Sequence, residues 1–119
     1  MPPSIPGHYD LPIWRGTTEP AFVVQIKIDG TGSEWRLRVA VRGKSALALS
    51  TEDGSLVAEA VTIDGAAWTR ITWPRTLEQS RIFPLGRLAS YELEQVEPGG
   101  GQGLWLEGGI EGLGGLNDD

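Results

Sequence analysis

Two neighbouring segments of the chain alternate apolar and polar side chains, and this alternation limits the possible folds more than any other feature. The apolar positions share one parity in each segment: Phe22, Val24, Ile26 and Ile28 in the first, and Trp35, Leu37, Val39 and Val41 in the second. Side chains alternate across a β-strand with a period of two, so the pattern predicts two strands, each with one covered face. Asp29-Gly30 lies between them, and we therefore predict a β-hairpin over residues 20–42.

Further turn signals extend the β pattern beyond this pair. Asp-Gly pairs also occur at Asp53 and Asp64, where glycine accepts a positive φ without steric cost. Short β segments separated by such turns are typical of a sandwich or barrel. Residues 75–81 interrupt the pattern, and Thr76 with Gln79 matches a capping box. We predict an all-β sandwich of about seven short antiparallel strands, with one short helical turn near 75–81.

Composition divides the chain into a core domain and two ends. Residues 1–8 contain three prolines and predict an extended arm that includes His8. Residues 9–113 are predicted to form the β-sandwich domain, and residues 114–119 an acidic tail. Six glycines between positions 99 and 109 weaken the last predicted strand, so we expect its order to depend on a neighbour.

Charge and cysteine content exclude several classes of protein. The net charge is −6, which argues against a protein that neutralises nucleic-acid phosphates. The absence of cysteine excludes disulfides and thiolate metal sites. No segment resembles a secretion signal or approaches the ~20 apolar residues of a membrane span, so we expect a soluble protein made in the cytoplasm. Residues 88–119 hold seven acids and no base, which indicates a solvated acidic face or, alternatively, a basic neighbour.

Residues that carry chemistry are few. His8 is the only histidine and is expected to be exposed and inert. The aspartates of the Asp-Gly pairs are better explained by turn chemistry than by calcium binding. Glu92 and Glu94 would lie roughly 7 Å apart on one strand face, a spacing compatible with an inverting glycosidase but also with any solvated strand. We predict no catalytic residue, no cofactor and no metal site.

The five tryptophans divide into two groups. Trp35 and Trp73 lie on apolar faces and are expected in the core. Trp14, Trp68 and Trp105 fall opposite the best apolar faces, where exposed tryptophan is favoured at protein interfaces and sugar-binding platforms. An edge or loop that covers them is the alternative. A row of Arg36, Arg38 and Arg42 could bind an anionic partner or pair with acids across strands, such as Glu59.

Three short motifs resemble, in type and order, those of a known family: Ile13-Trp14-Arg15-Gly16-Thr17, Tyr91-Glu92-Leu93 and Leu106-Glu107-Gly108. They are similar to the immunoglobulin-like N-terminal domain of the baseplate upper protein of tailed phages, over residues 9–112. One departure is Gly32-Ser33-Glu34, where the family usually has Leu-Thr-Gly. The resemblance implies an immunoglobulin-like β-sandwich that attaches to a particle and has no catalytic motif.

From these features we predict a non-enzymatic structural subunit of a tailed-phage particle, in the tail or baseplate or as an attachment adaptor. It would be made in the host cytoplasm and located in the virion. Its partners would be other virion proteins, with a homo-oligomer in the particle, and neither nucleic acid nor membrane. The predicted interface residues are Trp14, Arg15, Trp68 and Trp105. Alternatives are a carbohydrate-binding module that uses the three tryptophans, a phage-encoded inhibitor of a host protein, and a glycosidase.

Overall fold

A computed structural model of the chain describes residues 7–18, 22–30 and 32–114. Within them, nine strands and one short helix follow each other along the chain. Their bounds are β1 (Gly7–His8), β2 (Leu11–Trp14), β3 (Phe22–Ile26), β4 (Glu34–Val41), β5 (Lys44–Ser50), β6 (Val57–Ile63), β7 (Ala66–Trp73), α1 (Leu77–Arg81), β8 (Gly86–Val96) and β9 (Gln102–Leu113). The predicted all-β class is confirmed, as is the single short helix. Residues 7–8, which we assigned to the arm, belong to β1; residues 1–6 and 115–119 lie outside the described residues.

The strands form two sheets that pack as a sandwich. Sheet A has the order β1-β9-β8-β4-β5, with β2 also paired to β9, and sheet B has the order β3-β7-β6. This distribution matches an immunoglobulin-type sandwich, in which strands B, E and D face strands G, F, C and C′. The described strands number nine rather than about seven. β1 and β2 also pair with β9 in parallel, whereas we predicted only antiparallel strands.

The predicted hairpin over residues 20–42 is wrong, although both of its inward faces are right. β3 pairs with β7 in sheet B, whereas β4 pairs with β5 and β8 in sheet A. Two strands with one apolar face each can cover those faces in opposite sheets as well as in one sheet. Gly30 lacks the positive φ of a two-residue hairpin turn, and a Cβ there would lie 2.6 Å from Thr69 Oγ1. Its role is therefore close packing rather than a hairpin turn.

The core lies between the sheets and is built from the predicted alternating positions. Trp35, Leu37 and Val39 are buried on β4, and Phe22 and Ile26 on β3. The buried apolar residues form one cluster: Leu11, Ile13, Phe22, Ile26, Trp35, Leu37, Val39, Leu49, Leu56, Ile71, Trp73, Phe83, Ala89, Tyr91, Leu93 and Ile110. Trp35 and Trp73 are fully buried, as predicted. One continuous core thus holds both sheets together.

Two tight hairpins join neighbouring strands. The β4–β5 turn has positive φ at Arg42 and Gly43, and the β6–β7 turn has it at Asp64 and Gly65. Positive φ at both central residues is the geometry of a type I′ turn. Asp53 also makes a turn, in which its carboxylate accepts from the backbone N–H of Ser55 at 2.9 Å, but the flanking strands lie in different sheets. Only one of the three Asp-Gly pairs therefore closes a hairpin.

Helix α1 begins with the predicted capping box. Thr76 Oγ1 accepts from the backbone N–H of Gln79 at 3.1 Å, and Gln79 Oε1 accepts from the backbone N–H of Thr76 at 3.0 Å. The same Gln79 oxygen also accepts from Trp73 Nε1 at 3.0 Å. Trp73 packs edge-on against Phe83, with ring centroids 6.3 Å apart. The helix start is thereby fixed to the core.

The glycine-rich last strand is not weak, contrary to our expectation. β9 has twelve residues and lies inside sheet A, between β8 and the two lead-in strands. A Cβ at Gly108 would lie 2.0 Å from the carbonyl oxygen of Tyr9, and one at Gly112 would lie 2.1 Å from that of Pro84. These glycines let neighbouring backbone approach closely, which is a common reason for glycine inside a strand. The strand is ordered by contacts within its own domain.

Candidate interaction surfaces

Trp14 and Arg15, two of the predicted interface residues, lie at the end of the lead-in strand β2. Trp14 pairs with Leu113 of β9 and is 43% exposed, as the alternation predicted. Arg15 is half-buried, and its backbone N–H donates to the carbonyl of Leu113 at 2.8 Å. The backbone N–H of Gly16 donates to Ser80 Oγ at 2.9 Å. The lead-in is thus fastened to both β9 and α1.

Exposed apolar side chains concentrate at this end of the sandwich. Five of the eight that are large and exposed among the described residues lie at the end of β2, in α1, or between α1 and the start of β8, and we group them as the α1-end surface: Trp14, Leu77, Ile82, Leu85 and Leu88. Each of the five is between 38% and 58% exposed. The contact of Gly16 with Ser80 and the pairing of Gly86 with Gly112 bring their elements together. Concentrated apolar exposure of this kind marks an interaction surface more often than isolated residues do.

Trp68 lies on a different surface, the outer face of sheet B. It is half-buried on β7 and pairs with Val61 of β6. Beside it on the same strand face, Arg70 donates to Gln25 Oε1 at 3.1 Å and to Glu59 Oε1 at 3.2 Å. The acid that we considered for the arginine row therefore pairs with Arg70 instead.

Trp105 faces the core more than we expected. Leu93 pairs with Leu106 while Glu94 pairs with Leu104, so Trp105 is the extra residue of a β-bulge. A bulge breaks the alternation and re-aims the side chain. Trp105 is half-buried, and its Nε1 donates to Gln95 Oε1 at 2.9 Å. Its ring packs against Trp35, with centroids 6.4 Å apart.

The three outer tryptophans do not share a platform. Trp14 lies beside Leu113, and Trp105 lies eight residues earlier on β9, about 25 Å away at ~3.3 Å per residue. Trp68 belongs to the other sheet. A planar sugar-binding site built from these three residues is therefore incompatible with the fold.

Two arginines of the predicted row, Arg36 and Arg38, pair with acids of their own sheet. Arg36 Nε lies 3.0 Å from Glu34 Oε2, and both Arg36 and Arg38 lie 3.6 Å from Glu94 Oε1. Hydrogen bonds from Arg36 and then Ser50 hold the pKa of Glu34 below its usual value. Glu94, one of the two carboxylates with glycosidase-like spacing, therefore forms ion pairs with both Arg36 and Arg38. This arrangement is typical of a solvated strand face.

A groove of about 680 Å³ opens at the side of the sandwich along β6. We call it the β6 groove. Its walls come from the loops that precede β4 and follow β5 and β8, and from the inner faces of β6, with Ala58 and Ala60, and of β7, with Thr69. Among the described residues, four glutamates line it, Glu34, Glu52, Glu59 and Glu97, and no basic residue does. Sequence alternation did not predict this groove, because it cannot show that β6 lies at a sheet edge and that its small inner residues stay uncovered.

His8 is tied to the sheet rather than mobile. Its Nδ1 lies 3.3 Å from Glu107 Oε1 and its Nε2 lies 3.0 Å from Asp10 Oδ1. The hydrogen bond with Glu107 and the charge of Asp10 raise the pKa of His8. Asp10 also accepts from the backbone N–H of Gly109, which lowers the pKa of its carboxyl group. Among the described residues, no group of three or more histidine or acidic side chains is arranged to hold a metal ion.

No helix in the described part of the chain is long and apolar enough to span a membrane. Comparison with models of known protein families gives no match, and comparison with curated proteins gives none either.

Proposed function

We propose that this domain is a structural subunit of a tailed-phage particle that assembles with other virion proteins through its α1-end surface. The observation that carries the proposal is the concentration of exposed apolar side chains on one end of an immunoglobulin-type sandwich. The motifs of the lead-in and of the last two strands, which resemble those of a baseplate attachment domain, supply the particle context.

The α1-end surface has properties that favour a protein partner. Trp14 offers a large, rigid side chain, and tryptophan is enriched among residues that dominate binding energy. Leu85 and Leu88 would add apolar area around it. Two hydrogen bonds hold the lead-in in place before binding: the backbone N–H of Gly16 donates to Ser80 Oγ, and the side-chain Nε of Arg75 donates to the carbonyl of Thr17 at 3.3 Å. A preorganised surface loses less conformational entropy on association.

Symmetry of a particle would strengthen a modest contact. A stable two-protein interface buries about 1,600 Å² in total, whereas the α1-end surface consists of five exposed apolar side chains. When several copies attach to one symmetric assembly, the later contacts form at high effective concentration. Homo-oligomeric incorporation is therefore part of the proposal. Trp68 and Trp105, which lie on other surfaces, would contribute less than Trp14 and Arg15.

The proposal is tested by mass spectrometry of purified virions of the phage that encodes the chain. We expect the protein at a copy number consistent with tail or baseplate symmetry. Trp14→Ala should reduce its incorporation about tenfold or more, the loss expected for a dominant interface residue. Tyr9→Ala is the matched control, because Tyr9 is an exposed aromatic residue outside the α1-end surface. Absence of the protein from virions, or equal incorporation of both variants, would contradict the proposal.

A further inference from the structure

We propose that the β6 groove binds an extended, basic segment of a partner protein, which pairs with β6 as an added strand of sheet B. This inference concerns a second surface and stands whether or not the domain belongs to a virion. It rests on three properties of the site: an unprotected strand edge, an uncovered inner face and an acidic rim.

The first property is the open edge of β6. Among the described strands, β6 pairs only with β7, so seven residues present one free backbone side. A free strand edge is a template for another strand, and proteins usually protect it with proline, charge or a bulge. The opposite edges of sheet A carry such protection: Pro12 in β2, and Lys44 with a bulge at Val39/Ala40 beside β5. The β6 segment VAEAVTI has no proline, no lysine and no break in register, and the charge of its one acid, Glu59, is paired with Arg70 of β7.

The second property is the uncovered inner face of the same strand. Ala58 and Ala60 have the parity of the inner face, because they pair with the buried residues Ile71 and Thr69. Both alanines are nevertheless exposed. The other edge of sheet B differs, since Phe22 and Ile26 of β3 are buried. An added strand next to β6 could therefore place alternate side chains into the 680 Å³ groove without displacing the core.

The third property is the charge of the rim, which selects the partner. Glu52 and Glu97 line the groove together with Glu34 and Glu59. Glu34 and Glu59 each have an arginine partner, Arg36 and Arg70 respectively, but neither arginine lines the groove. Lysine and arginine can lay their aliphatic stems on small apolar residues and direct the charged head to a rim. The occupant favoured by this arrangement is a strand with alternating apolar and basic residues.

Pairing with a free strand edge requires a polypeptide partner, because an added strand continues the hydrogen-bond ladder of the sheet with its own main chain. Main-chain hydrogen bonds to β6 would provide affinity, and pockets for every second side chain would provide specificity. Nucleic acid is disfavoured by the glutamates of the lining, Glu52 and Glu97 above all, since Glu34 and Glu59 are paired with arginines.

The test uses the full-length protein and a synthetic six-residue peptide of alternating valine and lysine, capped at both ends. Its counterpart with glutamate in place of lysine is the charge control. Binding is followed by two-dimensional NMR of amide groups, and amide hydrogen exchange reports protection of β6. We expect the lysine peptide to shift and protect amides of β6 and of the loops around the groove. We expect the glutamate peptide to bind at least about tenfold more weakly.

Two test variants and one control variant make the test specific. Ala60→Trp should fill the groove and weaken binding of the lysine peptide at least about tenfold. Ala48→Trp is the matched control, because Ala48 is exposed on β5 in the other sheet, and it should leave binding unchanged. The double charge reversal E52K/E97K leaves the alanines intact and should weaken binding about three- to tenfold. Absence of binding, equal binding of both peptides, or shifts confined to another surface would overturn the inference.

Discussion

The two candidate surfaces of this domain use opposite strategies on one sandwich. The α1-end surface projects apolar side chains from a capped helix and the adjoining strand ends. The β6 groove is concave, has small residues on its floor and is lined by four glutamates, two of which are paired with arginines. The first surface offers apolar area, whereas the second offers backbone edge and charge. One small sandwich can thus present two candidate surfaces for two kinds of recognition: one at the α1 end and one at the free edge of sheet B.

Each surface rests on its own buried tryptophan. Trp73 supports the α1 end, where it packs on Phe83 and donates to Gln79. Trp35 supports the groove side, where its ring lies next to Gly30 and packs against Trp105. Both tryptophans are fully buried. The two regions therefore share a core but have separate aromatic supports.

The largest expected effect comes from removing either support. Trp73→Ala and Trp35→Ala should each lower the free energy of unfolding by about 3–5 kcal/mol, through lost burial and the cavity left behind. Denaturant unfolding measures this loss. Native-state hydrogen exchange should then distinguish the two: Trp73→Ala should increase exchange first in α1, and Trp35→Ala first in the loops around the groove. Identical exchange patterns in both variants would remove the distinction between the regions.

A smaller effect is expected at the helix start. Thr76→Ala removes the side-chain half of the capping box and should destabilise the domain by about 1 kcal/mol. Because Leu77 in α1 and Ile82, which caps its C-terminus, belong to the α1-end surface, incorporation into particles should fall in parallel. Binding of the basic peptide to the β6 groove should be unchanged. Thr62→Ala, at an exposed position of β6, is the control for loss of a threonine.

A change in ionic strength should affect binding at the two surfaces differently, and the expected effect is smaller still. Screening shortens the range of electrostatic attraction, from about 10 Å at 0.1 M salt to about 3 Å at 1 M. Affinity of the lysine peptide for the groove should therefore fall several-fold between these concentrations, as measured by titration calorimetry. Contacts of the α1-end surface should persist, since apolar burial is not screened. A peptide affinity that does not change with salt would contradict the proposed electrostatic contribution of the groove to binding.

The smallest effect is expected at His8, which belongs to neither surface. Its pKa is raised above the ordinary 6.5 in the folded protein, chiefly by the hydrogen bond with Glu107. The folded state thus binds the proton more tightly, and the stabilisation is present below pH 6.5 and is lost as pH rises through the folded pKa. Melting temperature should fall slightly over that range, and His8→Gln should remove this part of the fall. An unchanged pH profile in His8→Gln would show that the cluster does not affect stability.

Sequence alternation was sufficient to predict the class of fold and most of the core. It identified the inward positions of β3 and β4, because alternation reports directly which face is covered. The capping box was equally local, and Thr76 with Gln79 forms it as predicted. The choice of pairing partner for each strand, in contrast, does not depend on local sequence alone. The alternating faces of β3 and β4 could not reveal that these strands lie in opposite sheets.

The candidate surfaces were predicted only in part. Trp14 is exposed because β2 follows strict alternation up to its end. Trp105 departs from its predicted side because a bulge opposite Leu93/Glu94 breaks the alternation, and bulges have no reliable sequence signal in this strand. The β6 groove was missed because an uncovered inner face depends on which strand lies at the sheet edge. We predicted that the glycines of β9 weaken this strand. They instead leave room for backbone from distant parts of the chain to approach closely.

The most direct test of the proposed function is an electron cryo-microscopy reconstruction of the phage particle to which the proposal assigns this domain. We expect density for the sandwich in the tail or baseplate, with Trp14 and the α1-end surface buried against another virion protein. A reconstruction without the domain, or one in which this surface faces solvent in every copy, would contradict it.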